Sequence, residues 1–198
     1  RAQVWVKIVG TVPLLLLDTD VPENESQDIN ICDRLYYGDK EHRLKQEMVL
    51  GIGGVRVITA LGITPRLYHL NEGHSSFMLY ELARMKGQQS AQTVEETLTH
   101  LPNIVFTNHT LVPAGNDVFS KDLVATYLAS FASEFPLDPH ELVKYGLIQD
   151  SSLFSPTLLA LRLATVSQAV SKLHAKKALE VWADHPMVPV TNGVRQAY

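Results

Sequence analysis

Apolar residues recur along this chain with two periods, and the changes of period outline alternating strands and helices. Val4, Val6 and Ile8 alternate with Trp5, Lys7 and Val9, which predicts a strand over 3–9. The run Val12-Pro13-Leu14-Leu15-Leu16-Leu17 predicts a second strand over 12–17, joined to the first at Gly10 as a hairpin. Residues 18–33 are polar, carry Pro22 and Asn24, and read as a loop. From 40 to 61 the spacing becomes three and four, through Leu44, Met48, Ile52, Val55 and Ile58, and predicts one helix. Gly51, Gly53 and Gly54 interrupt it at roughly 1 kcal/mol each against alanine. A close neighbour, helix or ligand, would justify that cost.

Further strands are predicted over 66–70, 103–107 and 166–170, and helices over 75–86, 93–100, 119–135, 156–164 and 172–183. Ser120 is the expected N-cap of the 119–135 helix, with Asp122 in its first turn. Asp138 and Pro139 suit the cap and first position of another helix. Residues 87–90 form a polar link. Strands alternating with helices give a mostly parallel sheet, so the chain reads as one Rossmann-like α/β unit over 1–198. No internal repeat or low-complexity tract divides it.

Three apolar runs end in hydrogen-bonding side chains. They are Tyr68-His69-Leu70-Asn71-Glu72-Gly73-His74, Thr107-Asn108-His109-Thr110, and Val188-Pro189-Val190-Thr191-Asn192-Gly193. In open α/β sheets ligands bind outside the carboxyl ends of the strands. His and Asn donate and accept, and Glu accepts strongly, so a shared rim of these residues suits a ligand rich in hydroxyls. Each residue also has a plainer reading. His109 could be a strand-end histidine satisfied by its neighbours, Glu72 and His74 could cap a helix, and Asn192-Gly193 could be a turn. Arg43, among Asp39, Glu41, Lys45 and Glu47, could belong to a solvated charged face.

Composition narrows the function classes. The 198 residues are 45% hydrophobic, enough for a sizeable core, and the net charge of −4 comes without a run of like charges. No basic face for nucleic acid is expected. Cys32 is the only cysteine, which excludes an internal disulfide and a thiolate metal cluster. The longest apolar run is far too short to span a bilayer, and the first residues lack the pattern of a signal peptide. A cytoplasmic protein without membrane attachment is the expectation. His69 and His74 are five apart and do not make a helical zinc pair, so no metal site is expected. Gly51-Ile52-Gly53-Gly54 lies inside a helical pattern rather than after a strand, and Ser75-Ser76 makes no nucleophile elbow.

Seven stretches, in order, resemble the α-glucan phosphorylases, in particular their compact bacterial and archaeal form. They are Leu17-Asp18-Thr19-Asp20-Val21-Pro22-Glu23-Asn24; Asp33-Arg34-Leu35-Tyr36; Arg43-Leu44-Lys45-Gln46-Glu47 running into Gly51-Ile52-Gly53-Gly54-Val55-Arg56; His69-Leu70-Asn71-Glu72-Gly73-His74; Thr107-Asn108-His109-Thr110-Leu111-Val112-Pro113-Ala114-Gly115; Val170-Ser171-Lys172-Leu173-His174; and Thr191-Asn192-Gly193-Val194. The resemblance implies part of the N-terminal half of a GT-B glycosyltransferase, and an internal piece of a longer enzyme. It implies phosphorolysis of α-1,4-glucan to glucose 1-phosphate, with α-glucan or maltooligosaccharide, phosphate and glucose 1-phosphate as partners. It implies pyridoxal phosphate as cofactor, its lysine lying outside this chain. His109, Asn192, Glu72, His74, Asn71 and Arg43 map onto the family's sugar site and cleft as binding residues. No catalytic group is assigned, and the piece alone is expected to be inactive. Gln168-Ala169 departs from the family's usual Asn-Gly, and Arg195-Gln196-Ala197-Tyr198 from the usual Thr-Pro-containing segment. Apolar surface left uncovered implies self-association. Two other readings are a GT-B nucleotide-sugar glucosyltransferase of the glycogen or starch synthase kind, and a non-catalytic glucan-binding module. The ordered motifs fit phosphorylases better than the first. The second lacks an exposed aromatic row, with Trp5 in a strand and Trp182 on a helix face.

Overall fold

The structure, a computed structural model, describes residues 1–35, 37–87, 93–101, 103–133 and 138–193. Tyr36 and Val194 of the quoted motifs lie outside these, as do 88–90 of the expected link, Phe135 and the 195–198 stretch. The chain opens with an antiparallel hairpin, β1 (Gln3–Val9) and β2 (Val12–Asp18). Gly10 takes φ +62 at its turn, a left-handed conformation that glycine adopts without Cβ strain.

The helix expected over 40–61 is interrupted. It runs as α1 (Lys40–Met48), a π-helical turn at Val49–Gly53, and α2 (Gly54–Ala60). Asp39 caps α1 by accepting the His42 N–H at 2.9 Å. The glycines divide in purpose. A Cβ on Gly51 would lie 2.7 Å from the Met78 backbone nitrogen, so this is where a neighbouring helix crosses closely. A Cβ on Gly54 would meet nothing within 4 Å.

Then follow β3 (Tyr68–Asn71), a 3-10 turn at Gly73–Ser75, α3 (Met78–Gly87), α4 (Val94–Thr99) and β4 (Ile104–Asn108). A short strand β5 (Phe119–Ser120) precedes α5 (Lys121–Ala132) and α6 (Pro139–Lys144). Last come β6 (Leu153–Phe154), α7 (Pro156–Leu163), β7 (Val166–Ala169), α8 (Lys172–Val181) and β8 (Val188–Pro189). Ser120 caps α5 as expected, accepting the Leu123 N–H at 3.2 Å. Phe119 is not helical: it pairs with Phe154 across β5 and β6, because its ring is drawn into the core there.

The central sheet is β3-β4-β7-β8, every pair parallel, with Asn71 opposite Thr107 and Thr107 opposite Gln168. Alternation puts Leu70, Phe106, Asn108 and Ala169 on one face, and all four are fully buried. The core lies against that face and includes Phe77, Tyr80, Leu128 and Leu159. Phe77 stacks on Phe154 at 5.7 Å between ring centroids, and the Tyr80 hydroxyl donates to the Leu142 carbonyl at 2.8 Å. On the opposite face, His69 Nε2 lies 2.6 Å from Thr107 Oγ1, and Gln168 donates to the same hydroxyl. Among the described residues no helix is long and apolar enough to cross a membrane.

Candidate functional site

The carboxyl ends of β3, β4, β7 and β8 lie side by side, and the first cluster of site residues forms there. Glu72, one residue past β3, adopts φ +65, a conformation that costs a non-glycine residue of order 1–3 kcal/mol. Its carboxylate reaches across to the end of β4. There it accepts the His109 backbone N–H at 2.9 Å and the Asn108 Nδ2 at 3.3 Å. Asn108 also donates to the Thr110 carbonyl at 3.1 Å, and its Oδ1 lies 2.9 Å from His174 Nε2. His174 sits in the first turn of α8, capped by Ser171 through the His174 N–H at 3.0 Å. Its imidazole is held below its ordinary pKa, chiefly by burial.

Gly73 is where α7 meets this rim. A Cβ there would come 2.7 Å from Thr157 Oγ1 and 2.8 Å from its backbone nitrogen. Thr157 in turn donates to Asn116 at 3.0 Å, and Asn116 donates to the Thr110 and Val112 carbonyls. The loop after His109 is therefore tied down by side-chain amides. Asn192 lies at the same end of the sheet, beyond β8, its N–H donating to the Val170 carbonyl at 3.1 Å. Asn71 is exposed at the end of β3.

Arg43 and His74 belong to a second, adjacent cluster. Arg43 is buried, not on a solvated face. Its guanidinium donates to Asp117 at 3.0 Å and Gln46 at 2.6 Å, and lies 3.5 Å from Glu47. His74 Nδ1 is 3.3 Å from the same Glu47 oxygen. Lys40 completes the cluster on Asp117 at 2.9 Å. Arg43, Gln46, Glu47 and His74 form the polar end of an apolar cavity of about 420 Å³ between β2 and α1.

Burial raises the Glu47 carboxyl from its ordinary 4.5 to about 7, against the pull of His74 and Arg43. Its Oε2 is buried without a hydrogen-bond partner among the described residues. The bond to Glu47 raises His74, opposed by partial burial. Burial pushes Asp117 up, but the bonds from Lys40 and Arg43 outweigh it and hold the carboxyl low. Ligand atoms of Glu47, His74 and Asp117 lie within 4.8 Å of one another. Arg43 and Lys40 already set two positive charges against the Glu47 and Asp117 carboxylates.

The structure thus joins Glu72 directly to His109, puts Asn192 on the same rim, and separates Arg43 and His74 into a neighbouring cluster. Glu72 stands at the N-cap position of the 3-10 turn that follows, but its side chain makes no capping bond there. Sequence reading passed over Asn108, His174, Glu47 and Asp117 as site residues. Asn108, His174 and Glu47 stood inside quoted motifs, but partners such as Asn108 and His174, 66 residues apart, give no signal along the chain.

The fold defines a class. The chain is similar to the catalytic domain of Starch Synthase IV from Arabidopsis thaliana, solved bound to ADP and acarbose, with a TM-score of 0.65 over 98% of this chain and 37% of that one. This is the α/β fold of a GT-B glycosyltransferase, and at 16% identity the likeness extends to fold alone. In sequence the relatives are glucan phosphorylases. The chain is 40% identical to glycogen phosphorylase of Mycobacterium tuberculosis over 98% of its length. It is 40% identical to maltodextrin phosphorylase of Thermococcus litoralis over 94%, and 32% identical to glycogen phosphorylase of Aquifex aeolicus over 96%. It spans 25%, 23% and 29% of those proteins respectively. No protein-family model matches the chain.

Proposed function

We propose that this chain forms one wall of the sugar site of an α-glucan phosphorylase, as part of the N-terminal half of its GT-B arrangement. The whole protein would transfer the terminal glucosyl unit of an α-1,4-glucan to phosphate. The glycosidic C–O bond breaks, a phosphate oxygen bonds the anomeric carbon, and the shortened glucan leaves with its 4-oxygen carrying the proton that the phosphate gives up. The observation that carries this reading is the 40% identity to phosphorylases across nearly the whole chain.

The rim supports it chemically. Glu72 and His109 are locked together by a backbone bond, leaving imidazole and carboxylate edges for sugar hydroxyls. Asn71 and Asn192 add amides at the ends of the two edge strands, and Arg43 with His74 lines the adjoining cluster. The groups bonded together at the rim are a carboxylate, an amide and an imidazole, and no lysine amine takes part. They do not fit pyridoxal phosphate, so the family's cofactor is assigned to no residue here. The role of these residues is to bind and orient, and the chain alone is expected to be inactive.

Titration of maltoheptaose, followed by backbone amide NMR, tests the reading. Shifts at residues 72, 109 and 192, lost in His109→Ala and Asn192→Ala, are expected. Rim shifts with ADP-glucose but not with maltoheptaose would transfer the chain to the nucleotide-sugar enzymes. Maltoheptaose affinity that survives both variants would point to a binding module instead.

A further inference from the structure

We propose that His174 is a positioning residue for the rim, donating its Nε2–H to Asn108 Oδ1 and so fixing the amide that holds the Glu72 carboxylate beneath His109.

The argument is one of donors and acceptors. Asn108 is fully buried, so each end of its amide needs a partner. Its Nδ2 faces the Glu72 carboxylate at 3.3 Å and the Thr110 carbonyl at 3.1 Å. Both are acceptors only, so the nitrogen and oxygen cannot be exchanged. The oxygen is therefore the end that meets His174 at 2.9 Å, and it requires a hydrogen on His174 Nε2. Burial holds this imidazole below its ordinary pKa, which favours the neutral ring, and the bond then selects the Nε2–H tautomer.

The helix supplies the placement. Ser171 caps α8 and sets the residue three positions on against the end of β4. The chain of bonds runs His174–Asn108–Glu72–His109 and joins three elements. Without His174 the buried Asn108 Oδ1 loses its partner, and the amide that anchors Glu72, held at φ +65, is held less firmly. His174 touches none of the reacting atoms and acts only through Asn108.

That the supported rim binds sugar rests on the proposed function; the bond itself does not, and its test needs no sugar. Two-bond ¹⁵N–¹H spectra of the imidazoles in this chain should show His174 as the neutral Nε2–H tautomer. Hydrogen exchange at the His109 N–H should quicken about tenfold in His174→Ala, the loss of roughly one net hydrogen bond. In His174→Gln, whose amide can donate to the same oxygen, it should stay near the wild-type rate. The Ala164 N–H, bonded inside α7 to Ala160, serves as reference. A neutral ring carrying its hydrogen on Nδ1 would overturn the proposal. So would unchanged His109 exchange in His174→Ala, or exchange that quickens equally at Ala164 in both variants. An intact tautomer in a chain that ignores maltoheptaose would instead refute the sugar-site reading alone.

Discussion

The Glu72 carboxylate accepts the His109 backbone N–H at 2.9 Å across the ends of two neighbouring parallel strands, although 37 residues separate the two in sequence. This bond explains why a glutamate tolerates φ +65. Strain of order 1–3 kcal/mol is opposed by two bonds to a charged acceptor, each contributing about 1.5–3 kcal/mol.

Replacing Glu72 separates the two contributions. Glu72→Ala keeps the strained backbone and removes both bonds, and should lower stability by about 3–6 kcal/mol. Glu72→Gly removes the bonds and the strain together, and should fall between alanine and wild type. Urea unfolding of the three proteins gives the order; glycine at or below alanine would show that strain is absent.

Glycine substitutions in the α1–α2 segment should have opposite signs. Gly51→Ala drives a Cβ to 2.7 Å from the Met78 backbone nitrogen and should cost about 1–3 kcal/mol. Gly54→Ala meets open space in a helical conformation and should add about 0.5–1 kcal/mol. Thermal midpoints of the two variants, one below and one above wild type, check this.

Stability should fall as pH rises from about 5 to about 8. The folded Glu47 carboxyl titrates near 7 against an ordinary 4.5, so the fold binds this proton more tightly than the unfolded chain. The resulting stabilisation is complete below about 4.5 and is lost as pH rises through 7. His74, also raised, adds a loss of the same sign above 6.5. Asp117 is lowered and acts in the opposite sense, only where pH falls below its ordinary 3.8. The combined loss should reach on the order of 2–3 kcal/mol, and Glu47→Gln should flatten it. Parallel pH profiles for wild type and Glu47→Gln would remove Glu47 from the account.

The hairpin should make this chain self-associate. Trp5, Val6, Ile8, Val9, Val12 and Leu16 are all exposed on a two-stranded ribbon whose outer edges pair with no other strand among the described residues. Such edges pair readily with other chains. Light scattering should show concentration-dependent association, and Val6→Lys with Ile8→Lys should abolish it. An unmodified chain that stays monomeric at high concentration would contradict this.

How much was legible in the sequence differs by element. The α/β order, the hairpin at Gly10 and the Ser120 cap follow from spacing and cap chemistry, which act over a few residues. So does the gathering of polar residues at strand ends, since each run announces its own end. The seven ordered stretches likewise lead to the phosphorylases that the 40% identity supports. Other features depend on partners distant in the chain. The π-turn at Val49–Gly53 answers the approach of Met78, and Phe119 leaves its expected helix to pair with Phe154. Arg43 reads as a surface charge until Asp117, 74 residues on, folds over it. His174 and Asn108 show their bond only once β4 and α8 lie side by side. Local periodicity records what a residue needs from its neighbours in the chain. Burial and the hydrogen bonds that burial demands are set by neighbours in space, and those the tertiary structure alone decided.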